Sequence, residues 1–335
     1  MNGVVLRAPN DVVWAPLPDP RSEDSAIVRL EQAGICGTDV KIVHGDIPVS
    51  YPRVLGHELV GRVEQAGPRR LVPLGARVLV DPAIACGHCV MCRTDRANLC
   101  PNGALLGRDI DGGFAELMSV DELQLHVVPD SVSHRASGLL QVLGTCMHAQ
   151  SQVDVRGIDS AAVIGLGVAG LLHLQLLRAR GIRRLVGVAR SENKRKLALE
   201  LGATAAVGPD DAEEAVEKVA GPGGVDLVVE AVGTVSTLAQ AIRLAAPGGT
   251  VLLFGTITAT GATDFPFYQL YFKELRLLSP RAALPRDYDR AIAMAAAGDL
   301  QLEPLWSRSY PLAEAASAFR DLADAGGLKV TFDVP

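Results

Sequence analysis

The pattern of apolar and polar residues changes character at about residue 149. Before that point, short apolar runs alternate with Gly and Pro, as in Ala26–Leu30, Val60–Gln65, Arg77–Val80 and Ala115–Ser119. Runs of this length between turn residues are typical of β-strands. Residues 1–148 are therefore predicted to form a compact, largely antiparallel domain whose loops carry functional residues.

From 149 to 281 strands and helices alternate. The region begins with an apolar run at Ala161–Ile164, a helical segment from near Val168 to Arg180, and a second run at Arg184–Val188. The alternation continues through helix Glu192–Leu201, strand Ala205–Val207, helix Asp211–Ala220, strand Val225–Ala231, helix Ser236–Ala245, strand Thr250–Gly255 and a last strand near Leu275–Leu278. This order predicts an α/β domain built on a doubly wound parallel sheet, the Rossmann arrangement.

Residues 282–335 form the tail, with helices predicted around Asp287–Ala297 and Ala313–Ala323 and a strand-like run at Lys329–Asp333. The tail has no further strand–helix unit of the preceding kind, so we expect it to return to the first domain. We also expect Val251–Phe254 to lie near a sheet edge, where it would suit a homodimer or homotetramer.

Three glycines mark the join between the first strand and helix of the α/β region. Gly165, Gly167 and Gly170 have the G-x-G-x-x-G spacing, which allows a tight turn, close approach of a pyrophosphate, and close packing of helix on strand. The helix that begins near Val168 would direct its free N–H groups at the phosphates. The context favours a dinucleotide site over a glycine-rich turn without a ligand.

The end of the second strand favours NADP(H) over NAD(H). An Asp or Glu about 20 residues after the glycine motif would bind the ribose 2′-hydroxyl of NAD, and no acid stands at Val188–Ser191. Four residues offer positive charge or a hydroxyl to a 2′-phosphate: Arg190, Ser191, Lys194 and Arg195. A solvated basic helix face would explain the last two, but it does not explain the missing acid.

Composition narrows the class of protein. The chain has 335 residues, 48% of them hydrophobic and 34 of them glycine, with a formal net charge of −6. The length suits two domains, and the charge argues against nucleic acid as a partner. The N-terminus shows no signal pattern, and Ala161–Leu177 is interrupted by polar residues and glycines, so we expect no membrane span and a cytoplasmic location. In that compartment, cysteines bind metal more readily than they form disulfides.

Four cysteines lie within 15 residues, in the pattern C-x2-C-x2-C-x7-C. They are Cys86, Cys89, Cys92 and Cys100. Four thiolates on one loop suit tetrahedral zinc and leave no open position for chemistry, so the predicted role is structural. An iron–sulfur cluster and disulfides are the alternatives, although the last spacing is too long for the bacterial ferredoxin type. His88 lies inside the loop but is not needed as a ligand.

A second group of candidate ligands precedes this loop. Cys36 lies in GICGTD, and His57 with Glu58 lies in GHE. With the four-cysteine loop, GGFAEL, GLGVAG, VDLVVEAVG and PGGTVLLFG in this order, the chain resembles the zinc-dependent medium-chain alcohol and polyol dehydrogenases over nearly its whole length.

The resemblance implies a GroES-like β-barrel catalytic domain at 1–148, a Rossmann domain at 149–281, and a tail at 282–335 that belongs to the catalytic domain. The active site would lie in the cleft between the domains. Cys36 and His57 would be ligands of a catalytic zinc. Thr38 would hydrogen-bond the substrate oxygen and start a proton relay, with Asp39 as the partner of a ligand.

The third ligand of the catalytic zinc departs from the family pattern. Relatives usually place Cys or Glu where this chain has Gln141, and a neutral amide oxygen binds zinc more weakly. Some sugar-oxidising members have Gln here, with the Glu after the ligand His helping to hold the metal, as Glu58 could do. With Glu58 the metal core is neutral, whereas with Gln141 it keeps one positive charge and stabilises an alkoxide better.

Other residues are open to more than one interpretation. His44, eight residues after Cys36, either lines the pocket and finishes the relay or is an ordinary surface histidine. Cys146 and His148 are interpreted as core packing. Four aromatic residues are interpreted as packing or a subunit contact rather than a substrate platform: Phe265, Phe267, Tyr268 and Tyr271.

The sequence thus predicts a zinc- and NADP(H)-dependent dehydrogenase that acts on a secondary alcohol or ketone of a polyol, sugar or cyclitol-like compound. A simple alcohol dehydrogenase, a ketone reductase or an L-threonine dehydrogenase is the alternative within the same fold. A nicotinamide-binding protein that has lost its metal and does not turn over is the alternative of another class, and Cys36, Thr38 and His57 argue against it.

Overall fold

The computed structural model of the protein describes residues 1–21, 24–258, 265–324 and 327–335. Within those ranges, no helix combines the length and the apolar character that crossing a bilayer requires.

The chain divides into two compact units. One unit comprises Met1–Gly144, Ala282–Gly298 and Leu302–Pro335, and the other comprises Thr145–Arg281 and Asp299–Gln301. The tail therefore clusters with the N-terminal residues.

The elements before the α/β region are mostly short strands. The strands are β1 (Asn2–Ala8), β2 (Asp11–Pro16), β3 (Ala26–Gly34), β4 (Arg53–Val54), β5 (Glu58–Gln65), β6 (Arg77–Val80), β7 (Ala83–Ile84), β8 (Ala104–Leu105), β9 (Leu117–Val120) and β10 (Leu125–Val127). The helices are α1 (Gly37–His44), α2 (Val90–Arg93), α3 (His134–Ser137) and α4 (Leu140–Ser151).

Strands and helices then alternate, as the sequence predicts. The elements are β11 (Ser160–Ile164), α5 (Val168–Ala179), β12 (Arg184–Val188), α6 (Glu192–Glu200), β13 (Ala205–Val207), α7 (Ala212–Ala220), β14 (Val225–Glu230), α8 (Val235–Leu244), β15 (Ala245–Leu253), α9 (Phe267–Phe272) and β16 (Arg276–Leu278). The tail adds α10 (Pro285–Ala297), β17 (Trp306–Pro311), α11 (Ala315–Asp324) and β18 (Lys329–Asp333).

The main sheet of the first unit has the order β10-β6-β5-β3-β18-β17, with β9 also paired to β3. Only β17 and β18 pair in parallel; the other pairs are antiparallel. The C-terminal strand β18 reaches the centre of this sheet, where Phe332 pairs with Ala33 and packs edge-on against Phe114, with ring centroids 5.0 Å apart. The last residues of the chain thus lie beside the loop that follows β3.

The sheet of the second unit is parallel throughout, in the order β13-β12-β11-β14-β15-β16. Alternate residues of its strands face opposite sides. Ala162 packs in one cluster with α7 and α8, whereas Val163 on the other face adjoins Gly170 of α5. Because helices cover both faces, β11 is buried at every position. The predicted α/β class with a doubly wound parallel sheet is confirmed.

One expectation about the second unit is corrected. Among the described residues, β16 lies at this edge of the sheet and the Val251–Phe254 segment does not, because β15 pairs on both sides and Val251 is fully buried.

The aromatic residues near α9 pack in part within this chain. Phe265 packs against the core cluster of the unit, with its ring 4.7 Å from that of Phe267. Tyr268 stacks on Phe272 with ring centroids 5.7 Å apart, but Tyr268 and Tyr271 remain 70% and 82% exposed. A subunit contact stays a prediction for them.

Candidate metal and dinucleotide sites

The first candidate metal site forms where β3 and β5 pair. Gly34 at the end of β3 lies opposite Glu58 at the start of β5, so the loop after β3 meets the residues that begin β5. Cys36, His57 and Glu58 each bring one ligand atom into a group whose members lie within 4.8 Å of one another. Sulfur, imidazole nitrogen and carboxylate oxygen are the donors that zinc takes in proteins, so these residues fit a zinc ion.

Asp39 contacts two members of this group, Cys36 and His57. Its Oδ2 accepts a hydrogen bond from the Cys36 backbone N at 2.9 Å, at the point where α1 begins. Its Oδ1 lies 3.3 Å from His57 Nδ1, and its side chain is fully buried. A carboxylate beside Nδ1 orients the ring and leaves Nε2 for a metal.

The electrostatics of the group favour a cation. Burial lowers the pKa of His57, but the negative charges of Asp39 and Cys36 outweigh it and hold the pKa well above 6.5. The same two charges that favour a proton on His57 also favour a divalent metal in its place.

Thr38 and His44 lie on α1, just after Cys36. Thr38 is half-buried in the first turn of α1, and His44 is exposed as its last residue. Six residues of helix separate the two by about 9 Å along the axis. Their roles in a relay stay predictions.

Gln141 lies in the first turn of α4 and is buried. Its Nε2 donates a hydrogen bond to the Tyr288 hydroxyl at 3.4 Å. Tyr288 is itself buried, and burial together with the negative charges of Asp81 and Glu58 raises the pKa of its phenol well above 10. The charge of Glu58 thus acts on the residue that contacts Gln141, whose role as a ligand stays a prediction.

The four-cysteine loop forms a second candidate metal site. The Cys89 Sγ lies 3.5 Å from the Cys92 Sγ and 3.8 Å from the Cys100 Sγ. The Cys86 Sγ lies 4.0 Å from the Cys92 Sγ. A tetrahedron with Zn–S bonds of about 2.3 Å has edges of about 3.8 Å, which these separations match. A disulfide would need about 2.0 Å, so the four thiols are free.

Backbone N–H groups complete this second site. The Cys92 N donates to Cys89 Sγ, and the Cys86 N donates to Cys100 Sγ. The backbone N–H groups of His88 and Cys89 lower the pKa of Cys86 to about 6, which favours a thiolate at that position, whereas burial and the Cys89 thiol raise the pKa of Cys92 to about 12. The His88 ring turns away to the Cys86 carbonyl, with Nδ1 at 2.7 Å.

The glycine motif adopts the geometry its spacing predicts. Gly165 has φ +91°, a left-handed conformation that strains other residues. A Cβ added at Gly170 would lie 1.7 Å from the Gly165 carbonyl oxygen, whereas one at Gly167 would meet nothing within 4 Å. The backbone at Gly167 therefore faces open space at the start of α5. Binding of a pyrophosphate by the helix N–H groups stays a prediction.

The residues after β12 concentrate positive charge. Burial lowers the pKa of Lys194, and so does the nearby charge of Arg190, which is exposed. Arg195 is held elsewhere, since its guanidinium donates to the carbonyls of Ala189 and Arg190 at 2.9 and 2.8 Å. Ser191 caps α6. Two cations side by side suit a phosphate that neutralises both.

Both halves of the chain match descriptions of known protein families. The description "Alcohol dehydrogenase GroES-like domain" matches residues 22–130, and "Zinc-binding dehydrogenase" matches residues 168–297. The 2-dehydro-3-deoxy-L-galactonate 5-dehydrogenase of Pseudoalteromonas atlantica is 31% identical over 302 residues, which are 88% of this chain and 87% of that protein. The chain belongs to the zinc-dependent medium-chain dehydrogenases.

Two solved dehydrogenase structures share this fold over their full length. A zinc-binding dehydrogenase of Sinorhizobium meliloti bound to NADP is 35% identical, with a TM-score of 0.91, 99% of this chain and 98% of that chain covered. The alcohol dehydrogenase TADH of Thermus sp. ATN1 is 32% identical, with a TM-score of 0.91 and both chains covered completely. The predicted family and its GroES-like plus Rossmann fold are confirmed.

Sequence reasoning missed several buried charges of this dehydrogenase, and two of them lie next to the candidate sites. Lys329 on β18 pairs with Glu58, and both side chains are nearly inaccessible to solvent. Glu230 at the end of β14 accepts hydrogen bonds at Oε1 from the backbone N atoms of Val232 and Gly233, at 2.8 and 2.9 Å. A charged residue at the end of a mostly apolar strand is the signal that both positions offered.

The Glu230 carboxylate orders the loop that follows β14. Besides the two backbone groups, its Oε1 accepts a hydrogen bond from the Thr237 hydroxyl at 2.8 Å. The loop that it holds packs against the glycine motif, because a Cβ at Gly165 would lie 2.5 Å from Val232 Cγ2. Glu230 thus supports the turn that begins the motif.

Proposed function

We propose that this protein is an oxidoreductase that transfers a hydride between NADP(H) and a secondary alcohol or ketone of a polyol, sugar or cyclitol-like compound. The observation that carries the proposal is the convergence of Cys36, His57 and Glu58 on one buried point, in a chain that also has an open glycine turn at Gly167. The name of the Pseudoalteromonas relative, a dehydrogenase of a deoxy sugar acid, supports a polyhydroxy substrate.

The chain's own residues divide the work. Cys36 and His57 bind the catalytic zinc, which when bound polarises the substrate oxygen. Asp39 holds the His57 ring, and the Thr38 hydroxyl, which both donates and accepts, accepts the proton of the substrate oxygen while it passes its own proton on to water. Cys86, Cys89, Cys92 and Cys100 hold the structural zinc.

The dinucleotide is held by backbone and by charge. The N–H groups at Gly167 and Val168 bind the pyrophosphate at the start of α5. Arg190 and Lys194 bind the 2′-phosphate, with Ser191 as a further donor and Arg195 fixing the strand end. The NADP carried by the Sinorhizobium structure supports this choice of cofactor.

A substrate panel tests the function. The zinc-loaded protein is incubated with NADP+ or NAD+ and with polyols, sugar acids, simple alcohols or L-threonine, and the absorbance of reduced nicotinamide is followed. We expect the largest kcat/KM with a polyhydroxy compound and NADP+. Turnover confined to simple alcohols or to L-threonine would contradict the substrate class, and no turnover with any compound would contradict the enzymatic assignment.

We also propose that the protein is a homo-oligomer. α9 exposes four aromatic side chains, Phe267, Tyr268, Tyr271 and Phe272, at 67% or more. β16, which follows it, is the edge strand of its sheet. An exposed apolar patch beside a free strand edge is typical of a contact between copies of one chain.

A further inference from the structure

Each of the two candidates for the third zinc ligand has one buried partner. Glu58 pairs with Lys329, and Gln141 pairs with Tyr288. The two partners differ in kind, because Lys329 is a cation and Tyr288 is a neutral hydroxyl. The partners therefore affect the two candidate ligands in opposite ways.

Lys329 is fixed beside the metal site by the fold. The pairing of β18 with β3 brings Lys329 to the loop after β3, where its Nζ contacts Glu58 Oε2 and donates to the Ile35 carbonyl at 3.1 Å. The space between Gly34 and the Glu58–Lys329 pair is filled, since a Cβ added at Gly34 would lie 2.4 Å from Glu58 Oε2 and 2.7 Å from Lys329 Cε. With 4% of the Lys329 side chain and 3% of the Glu58 side chain exposed, solvent screens the pair little.

A metal and an ammonium group compete for the same carboxylate. A metal bound by the Cys36 thiolate, the His57 imidazole and the Glu58 carboxylate has a formal charge of zero, and Lys329 raises the total to plus one. The positive charge of Lys329 stabilises the Glu58 carboxylate without the metal and repels the metal at short range. Glu58 is thereby a weaker ligand than an unpaired carboxylate at the same place.

Tyr288 has the opposite effect on Gln141. The Gln141 amide nitrogen donates to the Tyr288 hydroxyl, which fixes the amide plane, and the carbonyl oxygen of the same amide is the atom that can bind a metal. An amide oxygen held in one orientation loses less entropy when it binds a metal.

We propose that Lys329 is a positioning residue that weakens Glu58 as a zinc ligand and so directs the third position of the catalytic zinc to Gln141, which Tyr288 orients. This inference rests on the proposed zinc site at Cys36 and His57. It assigns a role to a C-terminal residue, and it leaves the metal core with the positive charge that stabilises an ionised substrate oxygen.

The test measures how tightly the more labile zinc is bound, by competition with a chromophoric chelator, together with the visible spectrum of the cobalt-substituted protein. Lys329→Gln is expected to tighten this zinc on the order of tenfold, because Glu58 becomes available. Lys329→Met, which also removes the cation and is no larger, is expected to tighten this zinc as Lys329→Gln does. Gln141→Ala as a single substitution is expected to lower the affinity for zinc on the order of tenfold. In the Lys329→Gln background the same substitution is expected to lower that affinity far less.

Three results would overturn the inference. They are an unchanged or weaker zinc affinity in folded Lys329→Gln, an equal cost of Gln141→Ala in both backgrounds, and a cobalt spectrum that Gln141→Ala leaves unchanged in the wild-type background. Should Lys329→Gln fail to fold, Gln141→Glu replaces it. A carboxylate at the third position then tightens zinc by more than about tenfold, and an unchanged affinity refutes the inference.

Cys36→Ser separates this inference from the proposed function. If Cys36→Ser keeps the labile zinc, the proposed metal site itself is wrong. If Cys36→Ser loses that zinc while the Lys329 and Gln141 variants behave independently, the metal site stands and only the role of Lys329 is refuted.

Discussion

Asp81, just after β6, is a buried carboxylate outside the proposed zinc site. Burial raises its pKa to about 6, although the Ala83 N–H, at 2.9 Å from Oδ1, and the charge of His126 lower it. The unfolded chain releases this proton near pH 3.8, so between about pH 4 and 6 the folded state binds more protons. The free energy of unfolding therefore falls as pH rises through that window, by at most about 3 kcal/mol.

Asp81→Asn keeps the acceptor for the Ala83 N–H and removes the buried charge. We expect this variant to melt several degrees higher than the wild type at pH 8 and at the same temperature at pH 4, in thermal unfolding followed by circular dichroism. Asp46→Asn, at an exposed position after α1, should show no such pH-dependent difference. A stabilisation by Asp81→Asn that is equal at both pH values would contradict the burial argument.

A second prediction for a single residue concerns Arg190 and the choice between NADP(H) and NAD(H). Arg190→Ala removes an exposed guanidinium beside Lys194, so NADP(H) should lose affinity by about ten- to a hundredfold, the size of a charge-assisted hydrogen bond. NAD(H) affinity should change little, as fluorescence titration with both dinucleotides would measure. Lys196→Ala, on an exposed residue paired with Glu192 in the same helix, is the matched control. An unchanged ratio of the two affinities would contradict the phosphate assignment.

At the scale of elements, the glycine turn between β11 and α5 offers a matched pair of substitutions. Gly167→Ala places a Cβ in open space, so the fold should be kept while dinucleotide binding weakens by more than about tenfold, because the methyl occupies the place of the pyrophosphate. Gly170→Ala places a Cβ 1.7 Å from the Gly165 carbonyl oxygen, and should cost about 3 kcal/mol of stability.

Urea unfolding and dinucleotide titration of both variants check this pair. We predict that Gly167→Ala lowers dinucleotide affinity without lowering stability, and that Gly170→Ala lowers both. If Gly167→Ala bound the dinucleotide as tightly as the wild type does, the pyrophosphate would not approach the backbone there.

The parallel sheet was predictable because its strands are mostly apolar and alternate with helices along the chain. The limits of β15 were not. The sequence places its start at Thr250, after a Pro-Gly-Gly turn signal, whereas the strand begins at Ala245 and pairs there with Val225. The last strand was predicted near Leu275–Leu278 and forms at Arg276–Leu278. Its position at the edge, beside β15, was not predictable, because no local pattern gives the order of strands in a sheet.

At the scale of the whole molecule, the candidate zinc ligands could be predicted from the sequence, but the residues that contact Glu58 and Gln141 could not. Cys36 and His57 lie in short motifs that chemistry identifies. Lys329 contacts Glu58 across a separation of 271 residues, and Tyr288 contacts Gln141 across 147. Contacts of that range depend on sheet order, which gives no local pattern in the sequence.

For the whole molecule, we predict that the exposed aromatic residues of α9 form the contact between copies of the chain. The double substitution Tyr271→Ser with Phe272→Ser removes two side chains that are 82% and 72% exposed, so it should lower the molecular mass observed in sedimentation without lowering the melting temperature of the monomer. Leu199→Ser, on an apolar residue of α6 that is 47% exposed, is the control. A wild-type protein that sediments as a monomer at micromolar concentration would contradict the proposal.

The claim that hydride transfer depends on a metal held by Cys36 and His57 is tested most directly by comparing Cys36→Ser with the wild type. The measurement is the rate of NADP+ reduction with the best substrate of the panel, with zinc content and the NADPH dissociation constant determined on the same samples. We predict that Cys36→Ser loses one of two zinc ions and at least about a thousandfold in turnover, while NADPH affinity stays within about twofold. Full turnover by a Cys36→Ser protein that has lost that zinc would contradict the account.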